Sequence, residues 1–220
     1  RRALGYDREC RGSRRGGRGR GKPLAPQGTG RVGRDLPSYR AQTTGNIPSG
    51  AATALVREHG RGVGDHARLI CPGRLDRILR KYYDADIAAG RLTRERALLL
   101  IESLYLLIND FVPDGLAVGV MVGGTDAEGA DITHELSYLC LEALRRTRLI
   151  YPTVGVCWHK RTPRELSDLA SELMASGCAN SALFNDAVIR RGLERLGLPP
   201  ADACNYINST CVEITPIGRS

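Results

Sequence analysis

Aromatic residues are scarce in this 220-residue chain, 5% of the total, with one tryptophan and two phenylalanines. That leaves few ring faces on which nucleic-acid bases could stack. Paired cysteine motifs are missing as well. The seven cysteines (Cys10, Cys71, Cys140, Cys157, Cys178, Cys204 and Cys211) are odd in number and irregular in spacing, and none forms a C-x-x-C. This excludes the familiar zinc and iron–sulfur patterns. Several lie inside apolar segments, where a free thiol behaves as a small hydrophobe, and a reduced cytosolic setting fits them best. No apolar run approaches the roughly 20 residues of a membrane span. No apolar stretch follows the basic start, as a secretory signal would require.

Acid is also scarce at the beginning. Residues 1–40 contain 12 Lys/Arg against 3 Asp/Glu, so the arm alone exceeds the net charge of +8 of the whole chain and the rest is nearly neutral. The arm is rich in Arg, Gly and Pro and has no apolar periodicity. Such a stretch buries too little surface to offset its ordering entropy. Residues 1–60 are therefore expected to form a disordered basic Arg/Gly-rich arm. A nucleic-acid-binding role is the functional alternative to a solvated tail or a mistranslated lead-in. With only Tyr6 and Tyr39 for stacking, nucleic acid is not the expected partner.

Order is expected from about His66. In "PGRLDRILRKYYDADIAAG", Leu75, Ile78, Leu79, Tyr82 and Tyr83 recur at helical spacing, and Gly90 is a credible stop. "LTRERALLLIESLYLLINDFV" predicts the strongest helix, with Thr93 as N-cap and Glu95 in its first turn. Alternation follows. "GLAVGVMVGG", "TVGVCWH", "SALFN" and "CNYINSTC" read as short strands. "DITHELSYLCLEALRRTRL", "TPRELSDLASELMASG" and "DAVIRRGLERLG" read as helices between them. Thr162–Pro163 predicts a cap followed by proline at the first helical position. Strand–helix alternation with short connections predicts an α/β fold with a parallel sheet.

The chain closes on "NYINSTCVEITPIGRS". Its cysteine, Cys211, falls just past the carboxyl end of the fourth predicted strand, where open α/β sheets gather ligand sites. Glu213 stands two residues on. A nucleophilic thiolate needs a positive neighbour, and a carboxylate is the wrong sign. A protonated thiol suits a different task, giving up and taking back a hydrogen atom without changing charge. In an extended loop, residues i and i+2 point to the same side, so one group can handle a hydrogen atom and the other a proton. A buried Cys beside a surface Glu is the bland alternative. His134 and Glu135 read as helix-start residues that cap or pair. Trp158 and His159 lie at a strand end and read as packing or substrate contacts. Asp126, Glu128 and Asp131 read as a turn-and-cap cluster.

"TCVEITP" resembles the active-site loop of the glycyl radical enzymes, the pyruvate formate-lyase-like superfamily. The stretches beginning "PGRLDRILRKYYDADIAAG", "VGGTDAEGADITHELSYLCLEALRRTRLIYP" and "ALFNDAVIRRGLERLGLPPADACNYINSTCVE" resemble the family in the same order. The resemblance covers residues 66–220.

The resemblance implies a partial ten-stranded barrel, a parallel half-barrel with flanking helices, over residues 66–220. It implies that Cys211 is the thiyl cysteine and Glu213 the acid of the branch that eliminates C–O, C–N or C–S groups or decarboxylates. Thr210 precedes Cys211 where formate acetyltransferases have a second cysteine, so that activity is the less favoured alternative. The arylsuccinate-forming branch lacks the acid. No directly bound cofactor or metal is implied. The radical is stored on a glycine loop of Arg-Val-x-Gly-Tyr type, which "RVGRD" at Arg31 does not match. A partner enzyme with S-adenosylmethionine and an iron–sulfur cluster installs it. The chain is accordingly expected to be a fragment, inactive alone, with a small-molecule substrate and an anaerobic cytoplasmic setting. The complete protein is expected to be a homodimer. A non-catalytic fragment or interaction protein that keeps the fold is the second class of reading.

Overall fold

The computed structural model describes residues 72–111, 118–178, 181–209 and 212–217. The basic arm, Cys71 and Cys211 fall outside them. Four parallel strands form the central sheet: β1 (Gly73–Arg74), β2 (Gly119–Gly123), β3 (Thr153–Trp158) and β4 (Ser181–Asn185), in that spatial order. Helices α1 (Leu75–Ala88) and α2 (Arg94–Phe111) separate β1 from β2. Helix α3 (Glu135–Thr147) precedes β3, α4 (Arg164–Ala175) precedes β4, and α5 (Asp186–Arg195) follows it. A short α6 (Pro200–Ala203) leads into β5 (Tyr206–Asn208) and β6 (Ile214–Pro216). No described helix is long and apolar enough to cross a membrane.

The helices form where the apolar spacing places them. Leu75, Leu79 and Tyr83 give α1 a buried stripe at four-residue intervals, while Ile78 is left exposed. Thr93 accepts the Arg96 N–H through Oγ1, as its cap position predicts. Helix α2 buries Ala97, Leu98, Ile101, Leu104, Tyr105 and Ile108. It also buries Glu102, whose carboxylate lies 3.5 Å from the Arg146 guanidinium of α3. Leu136, Leu139, Cys140 and Ala143 line the inner side of α3. These helices pack against Val118, Val120, Val122, Val154 and Val156 on one face of the sheet.

Three readings of the sequence need correction. Strand β1 is new. Its two residues carry no apolar pattern, and its Arg74 is fully buried, against the usual exposure of arginine. Thr162 does not cap α4. Pro163 holds that position, and the Thr162 hydroxyl instead accepts the His159 N–H at 2.9 Å. The final strand does not extend the parallel ladder. β5 pairs antiparallel with β6, with Asn208 opposite Ile214.

That hairpin lies against the face of the sheet away from α1–α4. Tyr206 packs with Met121, Cys157 and Phe184. The Asn208 N–H reaches the Met121 sulfur at 3.0 Å. Glycines make the approach possible. A Cβ on Gly119 would collide with the Asn208 carbonyl oxygen, and one on Gly155 would stand 2.6 Å from the Phe184 ring.

Candidate functional site

Tyr206 meets groups at the carboxyl ends of the strands, whereas Asn208 meets Gly119 at the amino end of β2. β5 therefore descends the sheet face from the one end toward the other. The sequence reading put the following turn at a carboxyl end within the sheet. The structure instead gives it to a separate hairpin laid over that sheet. The turn is closed by the Ser209 N–H donating to the Glu213 carbonyl at 2.8 Å. Glu213 is exposed, and one of its carboxylate oxygens accepts the Val212 N–H at 3.2 Å. Thr210 and Cys211 are the two residues between Ser209 and Val212 and lie outside the described residues. The base of the hairpin is tied by the Ile217 N–H donating to the Asn205 carbonyl at 2.8 Å.

A buried polar network holds the head of β5. The Tyr206 hydroxyl donates to one Asp186 oxygen at 2.8 Å, and the Thr125 hydroxyl donates to the other at 2.5 Å. Arg190 donates to the Thr125 hydroxyl and, at 2.7 Å, to the Asp126 carbonyl. The Arg74 guanidinium lies 5.5 Å from the centre of the Tyr206 ring and donates to the carbonyls of Gly123 and Cys204. Asp76, equally buried, accepts the Gly123 N–H and the Ser137 hydroxyl, both at 2.6 Å. Gly124 has φ +84, and a Cβ there would stand 2.8 Å from Arg74 and 2.9 Å from Cys157. A side chain at that position would be both strained and blocked.

Electrostatics fix the protonation of this network. Burial works to lower the Arg74 guanidinium, but Cys157 and Asp76, then Tyr206 and Asp186, outweigh it and hold Arg74 above its usual value. Burial pushes the Cys157 thiol up against the pull of Arg74, and pushes the Tyr206 phenol up with Cys157 and Asp186 adding to it. Cys157 and Tyr206 therefore stay protonated at neutral pH. Cys157 has no activated thiolate, and Tyr206 serves as a hydrogen-bond donor.

The other residues singled out in the sequence are structural or line a cleft. His134 caps α3, its Nδ1 accepting the Leu136 N–H at 3.2 Å while Nε2 lies 3.0 Å from Asp84. Glu135 accepts from Tyr83 at 2.6 Å and from Arg94 at 3.1 Å. Asp126 accepts the Ala130 N–H at 2.7 Å, and Asp131 holds Thr133 at 2.9 Å. Glu128 is exposed. Among the described residues, no group of three His, Cys, Asp or Glu is arranged to hold a metal. His159 is buried, with Nδ1 accepting the Arg161 N–H and Nε2 3.0 Å from Asp131. It does not serve Cys211 as a base. Together with Trp158 it lines a cleft of about 580 Å³ beyond the carboxyl ends of β2, β3 and β4.

Sequence reasoning passed over Arg74, Asp76, Thr125, Asp186, Arg190 and the role of Tyr206. Their types read as a solvated surface. The one signal available was the Asn185–Asp186 step from strand directly into helix, where Asn185 accepts the Val188 N–H at 3.1 Å as N-cap.

Comparison with known proteins gives these features a context. The family model described as pyruvate formate lyase-like matches residues 64–220. The (2S)-3-sulfopropanediol dehydratase of Klebsiella oxytoca is 34% identical over 76% of this chain and 21% of its own length. The trans-4-hydroxy-L-proline dehydratase of Clostridioides difficile is 31% identical over 67% of this chain and 20% of its own. Among solved structures, a glycyl radical enzyme from Archaeoglobus fulgidus matches with a TM-score of 0.62 at 34% identity, covering 68% of this chain and 21% of its own. The B12-independent glycerol dehydratase from Clostridium butyricum matches with a TM-score of 0.61 at 32% identity, covering 68% and 20%. The chain spans about a fifth of the length of the relatives it matches.

Proposed function

The chain belongs to the pyruvate formate lyase-like family, and from that premise we propose that it carries the thiyl relay and proton acceptor of a glycyl radical lyase. Cys211, as a thiyl radical, takes a hydrogen atom from a substrate carbon. Glu213 takes a proton from the neighbouring hydroxyl or similar group. The leaving group on the next carbon departs, or carbon dioxide is lost. Cys211 then returns a hydrogen atom to the product. A glycyl radical elsewhere in the larger protein generates the thiyl, and an S-adenosylmethionine-dependent activating enzyme installs it. The remaining strands of a ten-stranded barrel belong to the same proposal.

One observation carries this reading. Glu213 is an exposed carboxylate beside the turn of a hairpin that glycines admit onto the sheet face, and Cys211 precedes it by two residues. Relatives named as dehydratases, and the isethionate sulfite-lyase of Bilophila wadsworthia at 31% identity, support elimination over acyl transfer. The absence of a second cysteine at Thr210 supports it too.

The test uses the gene product that contains this sequence, activated anaerobically. Cys211→Ala is expected to abolish turnover while the glycyl radical signal in electron paramagnetic resonance persists. Unchanged turnover in that variant would refute the relay. Full activity of residues 66–220 alone would refute the requirement for the larger protein.

A further inference from the structure

The cleft beyond the carboxyl ends of β2, β3 and β4 is not used by the relay. Its walls come from the loops after the three strands: Thr125 and Gly129 after β2, Trp158 to Arg161 after β3, and Asn185 to Glu194 after β4. Four cations line it: Lys160, Arg161, Arg190 and Arg191. The lining carboxylates are fewer and already engaged. Asp186 accepts from the Thr125 and Tyr206 hydroxyls, and Glu194 lies 3.9 Å from Arg190.

The cations differ in their commitments. Arg190 is anchored to the β2 loop through Thr125, Asp126 and, at 3.0 Å, the Ala127 carbonyl. Arg191 donates through Nε to the Ala187 carbonyl at 3.1 Å. Lys160 and Arg161 make no ion pair among the described residues. Arg161 is nonetheless placed, because its guanidinium lies 3.7 Å from the position a Cβ would take on Gly129, which has φ +82. Unpaired cations on a convex surface are simply solvated. Two that converge in one concavity with low-dielectric walls focus a positive potential there. The amino end of α5, a helix of 10 residues, opens into the same cleft and adds to it. Trp158 supplies an apolar wall.

We infer that this cleft binds a small organic anion, a carboxylate or a phosphoryl group held by Lys160 and Arg161, with its apolar body against Trp158. A volume of about 580 Å³ suits a small molecule. The site stands apart from the thiyl proposal, since it is read by binding alone.

Trp158 is the sole tryptophan of the chain, so its fluorescence reports on the cleft directly. Inorganic phosphate and malonate are titrated into the 220-residue chain at constant ionic strength held with chloride, with calorimetry on the same samples. A saturable response to either anion is expected, and the anion that responds identifies the group preferred. The double variant Lys160→Ala/Arg161→Ala is expected to weaken it by about tenfold or more, as loss of charge-assisted hydrogen bonds does. Its thermal midpoint should match the parent. The inference is overturned if neither anion gives a saturable response beyond the chloride control. It is equally overturned if the double variant titrates like the parent.

Discussion

The backbone of Asn208 occupies the space where Gly119 would carry a Cβ. The carbonyl oxygen of Asn208 would collide with that atom, and its amide oxygen would stand 2.5 Å away. The obstruction is main chain, which cannot rotate aside as a long side chain does. Gly119→Ala should therefore push β5 off the sheet and cost about 1–3 kcal/mol, the range for overpacking a tight contact. Gly192→Ala is the matched control. Gly192 lies within α5 with no atom within 4 Å of its would-be Cβ, so alanine there should stabilise by about 0.5–1 kcal/mol. Urea unfolding of both variants checks the pair. A Gly119→Ala midpoint equal to the parent's would mean that the hairpin does not press on the sheet.

The strands and helices from Gly119 to Leu193 were legible because burial there follows backbone period. Val118, Val120 and Val122 alternate, and Leu136, Leu139, Cys140 and Ala143 keep helical spacing. The hairpin was not legible. Tyr206 and Asn208 show a strand's alternation, but alternation does not say whether a strand joins the ladder or crosses the sheet. That choice was made at Gly119 and Gly155, far away in sequence. The buried network was hidden for another reason. Arg74, Asp76 and Asp186 satisfy one another's surroundings only after folding, and in a linear chain each reads as a surface charge. Cys211 and Glu213 were legible by resemblance, not by pattern.

Asp186 receives two hydroxyl donors, and Tyr206 supplies one of them from the hairpin itself. Tyr206→Phe keeps the ring over Arg74 but leaves one Asp186 oxygen unpaired in a buried setting. The expected cost is about 1–3 kcal/mol, the usual penalty for an unsatisfied buried acceptor. Thr125→Val removes the other donor. Because both act on one carboxylate, the double variant should depart from additivity. A double-mutant cycle in urea measures this. Strict additivity would show that the two hydroxyls do not share Asp186.

Glu213 is assigned a proton-transfer role in the proposed reaction. Glu213→Gln keeps the shape and removes the base. In the activated full gene product, kcat should fall by about 10²–10⁴, the usual worth of a positioned acid–base group. The glycyl radical signal should remain, because the substitution leaves the radical relay untouched. Loss of the radical signal alongside turnover would point to a structural defect. An unchanged kcat would remove Glu213 from the chemistry.

Two buried thiols give the fold a calculable response to alkali. Burial pushes the Cys140 thiol well above its usual value, with Asp76 adding and the Tyr105 hydrogen bond opposing. Cys157 is raised in the same direction, burial again leading and Arg74 opposing. In the unfolded chain both titrate near the ordinary value of about 8.5. Above that pH the unfolded state has released protons that the folded state still holds. Fewer protons bound in the unfolded state means that stability falls as pH rises. The contribution is intact below about pH 8.5, and each thiol then costs up to about 1.4 kcal/mol per pH unit until its folded form titrates. Urea midpoints between neutral pH and pH 10 should show this decline. Cys140→Val, which leaves no ionisable group at a site enclosed by Leu136, Leu139 and Tyr105, should make the slope shallower by one proton's worth. An unchanged slope in that variant would mean that Cys140 is not the group being titrated.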